Sequence, residues 1–338
     1  MKKGIAVAGN IILDVLKPLS GFPVRHELVK VLEKTFSLGG AVSNVARDLA
    51  RLDPELSVEA VGAIGRDGEG DLIIRELSAY ANIDLTYVTR EGQTSFTDVL
   101  YEPETKARTF LVFGGAGDKF DVENVPLDKL NCSILHAGYI LLLPALDAPD
   151  PEYGTRMARL LHDAQARGIQ TSVDVVSEVG DRYRTIVPPA LRYTDYFIVN
   201  EIEAGKTVGV SLRGADEKLL IDRIPEVLMK LKALGVRRWA VIHAPEGGFG
   251  IDETGKCIEI PSLKLPKGFI AGTVGAGDAF CAGVLLGAHR GESLAQAIED
   301  GVASAACSLR AAGASEGVVP LAEARALAAS LPRQVFRG

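Results

Sequence analysis

The 338 residues include 37 Lys and Arg against 44 Asp and Glu, a net charge of −7, and 47% are hydrophobic. This is an ordinary soluble composition, long enough for one large domain with a smaller appendage or two modest domains, and with no Lys/Arg cluster longer than Arg237–Arg238 it argues against nucleic acid or an anionic membrane as the main partner. Cys132, Cys257, Cys281 and Cys307 stand far apart without CxxC spacing, so neither a zinc site nor a disulfide framework is expected and a reducing cytosol is the default.

The start, MKKGIAVAGNIILDVL, places two Lys before apolar residues. Asn10 and Asp14 interrupt that stretch and no small-x-small cleavage site follows closely, so a buried first strand is expected rather than a signal peptide. No later run approaches the ~18 uninterrupted apolar residues of a membrane span. In chain order, IAVAG reads as a strand, VSNVARDLARL as a helix, VEAVGAIG as a strand and GDLIIRELSAYA as a helix. SILHAGYI, the helical YGTRMARLLHDAQARG, the strands GIQTSVDVV and YFIVN, the helical IPEVLMKLKALG and the strand RRWAVIHA follow. The alternation implies an α/β fold, a doubly wound and mostly parallel sheet flanked by helices, in which ligands collect at the C-terminal ends of the strands. Residues 15–35, with Pro18, Gly21 and Pro23, and 86–113, with TSFTDVLYE and ARTFLVF, break the rhythm as extended segments. Gly114-Gly115-Ala116-Gly117 lacks GxGxxG spacing and reads as a flexible hinge; LAEARALAASL reads as a surface helix ending in a frayed tail.

Four short motifs carry chemistry. In GTVGAGDAF, from Gly272 to Phe280, Gly275, Ala276 and Gly277 let the backbone turn tightly and aim several N–H groups at one spot where a helix dipole adds attraction for an anion. Asp278 beside that spot suits a general base, although a loop closed by an Asp cap has the same pattern. GGAVSNVA at Gly39–Ala46 gives a Gly pair and then Asn44 at the start of a helical run, and GNIILD at Gly9–Asp14 puts an acid just past a strand. A polyol needs such carboxylates and amides. NEIEAG spaces Asn200 and Glu203 three apart, a pattern that serves a helix cap or, with retained waters, Mg²⁺. The embedded GKT is not a P-loop, because Asn200 stands where that motif needs Gly.

These motifs in this order resemble the ribokinase-like (PfkB) carbohydrate kinases over nearly the whole chain, closest in motif to fructokinase-like and 2-keto-3-deoxygluconate-kinase-like members. The resemblance implies a ribokinase-like large α/β domain of residues 1–14, 36–85 and 114–338, with 15–35 and 86–113 building a small β-sheet lid that often also serves as a homodimer contact. It implies ATP and Mg²⁺ as cofactors, Asp278 as general base and the amides of Gly275, Ala276 and Gly277 as the anion hole. Asp14, Gly39, Gly40, Asn44 and Arg108 would bind the sugar, Asn200 and Glu203 would order Mg²⁺ through water, and His243, Gly247 and Gly248 would contact nucleotide. Ala41 stands where ribokinases carry Lys, which shifts the expected acceptor toward fructose-like sugars or keto-sugar acids. Gly272 replaces the Asp that helps hold a monovalent cation in several members and puts potassium activation in doubt.

The expected activity is phosphorylation of a hydroxymethyl group on a small sugar or sugar acid, in the cytoplasm. A nucleoside kinase of the same fold, using lid aromatics such as Phe96, Phe110 and Phe113, and a non-catalytic sugar or nucleotide sensor are the alternatives. A dehydrogenase lacks its fingerprint. Phosphosugars are disfavoured unless folding gathers Arg25, Lys30 or Arg108 at the sugar site, and Arg182 and Arg184 are candidates to reach phosphate.

Overall fold

The computed structural model describes residues 3–105 and 107–336. Its first half contains β1 (Gly4–Gly9), β2 (Ile12–Pro18), β3 (Thr35–Gly39), α1 (Ala41–Leu52), β4 (Ser57–Ile64), α2 (Gly68–Leu77), β5 (Ile83–Arg90), β6 (Phe96–Tyr101), β7 (Arg108–Phe113) and β8 (Cys132–Ile140). The second half adds α3 (Pro144–Asp147), the short pair β9 (Pro149–Asp150) and β10 (Gly154–Thr155), α4 (Arg156–Ala166), β11 (Gln170–Val175), α5 (Tyr183–Leu191), β12 (Tyr196–Asn200), α6 (Glu201–Val208) and α7 (Ile224–Ala233). It ends with β13 (Trp239–Ala244), β14 (Gly247–Ile251), β15 (Cys257–Pro261), α8 (Ala276–His289), α9 (Leu294–Ser308) and α10 (Leu321–Ser330).

Nine strands form the main sheet in the order β15-β14-β13-β12-β11-β8-β1-β4-β5. The pairs from β13 to β5 are parallel, and β14 and β15 append an antiparallel edge. Buried side chains alternate between two layers. Ala6, Leu135, Val173, Phe197 and Ile242 pack under α4, α5 and α7, while Ile5, Val7, Ile134, Ile198 and Val241 pack under α1, α8 and α9. Every residue of β1 is buried, as a parallel strand covered on both faces requires.

The small sheet has the order β3-β2-β6-β7. Its limits differ from those expected. Residues 86–90 lie in β5, the last strand of the main sheet, while residues 12–14 and 36–39 belong to the small one. β5 is a half-buried edge strand, and its alternating pattern is the same one a strand in either sheet would show.

Two loop readings also change. Residues Gly115–Lys119 form a 3₁₀ turn with Ala116 and Gly117 buried, and Ser95 Oγ donates to Gly114 O at 2.5 Å and accepts from Gly117 N at 3.1 Å. The segment is anchored rather than a loose hinge. Beyond α10 the chain runs along the sheet edge instead of fraying: Lys264 N donates to Pro332 O at 2.7 Å and Gln334 N to Ser262 O at 2.8 Å. Phe336 stacks on Phe249 with centroids 5.0 Å apart, in space that a side chain at Gly247 would fill. Edge carbonyls and a glycine made this dock, and neither leaves a periodic signal in the tail.

Candidate active site

The GTVGAGDAF segment forms the entry to α8. Gly275 is the N-cap at φ 76°, with no side-chain cap, and a Cβ there would lie 2.3 Å from Ala314 O. Only glycine meets both demands at this position. Ala276, Gly277 and Asp278 open the helix, and its first backbone bond runs from Ala279 N to Gly275 O at 2.9 Å. The N–H groups of residues 276–278 thus have no helical acceptor and stand at the positive end of a 14-residue helix. A Cβ on Gly277 would come within 3.0 Å of His243 Cε1, so the hole is floored by that ring.

Asp278 is 9% exposed and both its oxygens are engaged: Tyr139 OH donates to Oδ1 at 2.6 Å and Asn44 Nδ2 to Oδ2 at 2.9 Å. Burial pushes its carboxyl up to about 6, opposed by those two hydrogen bonds and by Arg47. A carboxylate with that affinity for protons is ionised at neutral pH and poised to accept one. Asn44 lies in α1, where its Oδ1 accepts from Arg47 Nη2 at 3.2 Å. Arg47 is itself buried and also donates to Ser43 O and Leu38 O.

Asp14 faces its neighbouring strand across a gap that Gly39 leaves open, since a Cβ at Gly39 would sit 2.5 Å from Asp14 Oδ2. Burial pushes Asp14 up to about 6, opposed by a bond from Thr97, its register partner in β6. Gly40 is the N-cap of α1 at φ 84°, with the Asn10 carbonyl 2.5 Å from where its Cβ would be. Asp14, Gly39, Gly40, Asn44 and Asp278 are therefore gathered where the two sheets meet. Arg108 is not among them. It is exposed in β7, paired with Tyr101 and through it level with Pro18, two strands across from β2 and about 13 Å along from Asp14.

On the other side of the Gly275–Gly277 turn lies a cavity of about 610 Å³. Asn200, His243, Gly247, Ala276, Gly277 and Gln334 supply polar edges and backbone, and Leu263, Leu265, Ile270, Phe280 and Leu309 supply an apolar wall. His243 stacks on Phe280 with centroids 5.0 Å apart, and burial lowers it to about 4, so it meets a ligand as a neutral ring. Gly248 does not line this cavity. A Cβ there would lie 2.5 Å from Ile298 Cγ2 and 2.9 Å from the Phe280 ring, so it is a packing glycine against α9.

Asn200 and Glu203 form a capping box on α6: Asn200 Oδ1 accepts from Ile202 N and Glu203 N at 2.9 Å, and Glu203 Oε2 accepts from Asn200 N at 3.0 Å. Ser177 Oγ donates to Glu203 Oε1 at 2.6 Å. Burial pushes Glu203 up to about 7 and holds Asp174 well above its usual range, with Glu203 and Asp278 adding repulsion. Among the described residues no three His, Cys, Asp or Glu side chains are close enough to hold a metal directly. Oxygen donors such as those of Asn200 and Glu203 suit Mg²⁺ held through water, whose charge would oppose the repulsion among Asp174, Glu203 and Asp278.

Sequence reasoning missed Tyr139, Arg47 and the role of Asn10. Asn10 is 2% exposed, and a polar residue at the end of a fully buried strand was the available signal. Nothing in HAGYI set Tyr139 apart. Arg182 is occupied by Glu178, Asp147 and Leu141 O, and Arg184 packs against Gly209.

Residues 2–321 match the pfkB family carbohydrate kinase model, and the chain belongs to that family. It is therefore a phosphotransferase, a sugar or nucleoside kinase. It is similar to a nucleoside kinase of Methanocaldococcus jannaschii, 22% identical over 310 residues that cover 91% of each chain. Its fold is similar to that of Arabidopsis thaliana ribokinase complexed with ribose and ATP, at a TM-score of 0.80, 20% identity and coverage of 97% of this chain and 99% of that one. A provisionally assigned ribokinase II of E. coli in complex with ATP and Mg²⁺ superposes at a TM-score of 0.74, with 17% identity and coverage of 97% and 99%.

Proposed function

We propose that this kinase transfers the γ-phosphoryl group of ATP to the hydroxymethyl group of an uncharged, ribose-like sugar, free or within a nucleoside. The charge around Asp278 carries this reading. Asp14 and Asp278 present two carboxylates to the acceptor, each raised by burial to about 6, and the nearby cations are occupied by the protein. Arg47 serves Asn44, Ser43 O and Leu38 O; Arg51 serves Glu316 O and Val318 O; Arg182 serves Glu178. Arg25, Lys30 and Arg108 are exposed. A sugar acid or phosphosugar would bring a third negative charge without a partner. The keto-sugar-acid expectation therefore gives way to a neutral acceptor, and the similarity to a nucleoside kinase and to a ribokinase favours a ribose-like sugar over the expected fructose-like one.

In this reading Asp14 and the Gly39–Gly40 turn hold sugar hydroxyls, and Asp278 takes the proton of the attacking hydroxyl. The amides of Gly275, Ala276 and Gly277 offset charge on the phosphoryl oxygens, which is worth most where water is excluded. Mg²⁺, held through water by Asn200 and Glu203, would neutralise phosphate charge. The cavity beside His243 and Gly247 takes the nucleoside part of ATP. Closure of the small sheet would exclude water, and its β7 strand, with Phe110 58% and Val112 61% exposed, would pair with a second copy. Gly272 offers no carboxylate for a monovalent cation, and the four dispersed cysteines suit the cytoplasm.

The test is ADP release from MgATP with ribose, adenosine and cytidine set against ribose 1-phosphate and 2-keto-3-deoxygluconate, anionic acceptors that keep a free hydroxymethyl group. A neutral acceptor is expected to give at least about tenfold higher kcat/KM, the equivalent of one unit of log affinity. Preference for an anionic acceptor would overturn the charge argument.

A further inference from the structure

The two hydrogen bonds on Asp278 come from different elements. Tyr139 OH reaches Oδ1 from the end of β8, and Asn44 Nδ2 reaches Oδ2 from the start of α1. One atom joins those elements. Asn10 Oδ1, at the end of β1, accepts from Tyr139 N at 3.1 Å and from Ala41 N at 3.2 Å. The Asn10 carbonyl thus sets the spacing between the two groups that grip the carboxylate. A carboxylate held at both oxygens keeps one orientation and turns its remaining lone pairs in a fixed direction, which is what an in-line attack by a small hydroxyl requires.

We propose that Tyr139 is a positioning residue for the base, with its phenol fixing the orientation of Asp278 and stabilising the carboxylate anion by a charge-assisted hydrogen bond, and with Asn10 holding Tyr139 and Asn44 in register. The inference rests on Asp278 being the base. The other groups that face Asp278 do not duplicate the phenol. Arg47 and Asp48 approach from α1, Asp174 from β11 and Cys281 from α8 itself. Burial raises Asp48, Asp174 and Cys281 well above their usual ranges and so favours their neutral forms, while Arg47 is engaged by Asn44, Ser43 O and Leu38 O. Tyr139 remains protonated, because burial above all, and then the charge of Asp278, push its phenol up. It is therefore a permanent donor across the working pH range.

Tyr139→Phe removes one oxygen and little else. With ¹³C-labelled aspartate, and Asp278→Asn to identify the resonance, the midpoint of Asp278 is expected to rise by about one pH unit in Tyr139→Phe, the equivalent of one hydrogen bond to a charged group. 3-Fluorotyrosine at position 139, a stronger donor, should move it the other way. In turnover the acidic limb of kcat should shift upward by the same amount, with about a fivefold loss near pH 6 that approaches about tenfold below about pH 5, and an unchanged KM for ATP. An unmoved midpoint in folded Tyr139→Phe overturns the proposal, whether or not the variant melts earlier. Wild-type turnover in Asp278→Asn would instead overturn the base assignment itself, so the two failures are told apart.

Discussion

Asp278→Asn should make the protein more stable while disabling it, and the size of the gain should depend on pH. Asp278 is 9% exposed, and its environment moves it from 3.8 to about 6. At 1.36 kcal/mol per unit this is about 3 kcal/mol of destabilisation when the group is ionised. The folded state binds the proton more tightly than the unfolded one, so this group's contribution to stability is least unfavourable below pH 4 and falls as pH rises toward 6. Above that it stays at its full cost. Asparagine has nearly the same shape and no charge, but it exchanges charge-assisted bonds from Tyr139 and Asn44 for neutral ones, which returns part of the gain. Urea unfolding at pH 8 should therefore show the variant more stable by about 1–3 kcal/mol, and at pH 4 the difference should vanish. Asp14, Asp147 and Glu203, which burial also raises, are common to both proteins and cancel. Turnover should fall by at least ~10². A variant equally stable or less stable than wild type at pH 8 would refute the claim that the base is held against its solvation.

Gly275→Ala forces a Cβ to φ 76° and to within 2.3 Å of Ala314 O, so it should cost upwards of about 1 kcal/mol and lower kcat by about tenfold or more, read from melting and steady-state kinetics. Asn200→Ala removes the α6 cap and should cost about 1 kcal/mol and raise the Mg²⁺ concentration needed for half-maximal rate, whereas Asn200→Ser should recover the stability but not the metal response. Gln334→Ala, or termination after Leu331, should raise KM for ATP several-fold, about 1 kcal/mol of binding, with the acceptor KM unchanged, because Gln334 lines the cavity proposed to take the nucleoside part of ATP. Phe110→Glu with Val112→Glu should abolish any dimer formed through β7, seen as a loss of the dimer boundary in sedimentation velocity.

Much of this architecture was legible in the residues, and the reasons differ by element. The strands of the main sheet are buried on both faces, so apolar runs such as IAVAG and YFIVN announce themselves, and α1 and α4 carry clear helical periods. The turn before α8 was readable because only small residues fit where the backbone meets Ala314 and His243. The limits of the small sheet were not, since β5 alternates like a strand of either sheet. Arg108 was placed by the family resemblance, whereas its distance from Asp14 follows from strand order, which no local pattern encodes. Gly248 looked like a nucleotide glycine because its packing against α9 joins residues fifty apart in the chain. Tyr139 was invisible for the same reason: its partner, Asp278, is 139 residues away.

The central claim is that Asp278 and the Gly275–Gly277 amides move a phosphoryl group from ATP to a sugar hydroxyl. Incubation with γ-labelled ATP, Mg²⁺ and ribose or adenosine, followed by mass spectrometry of the acceptor, tests it directly. Wild-type protein is expected to yield label on the acceptor hydroxymethyl oxygen and Asp278→Asn at most about a hundredth as much. Equal labelling by the two proteins, or binding of both ligands with no transfer on any acceptor, would contradict it.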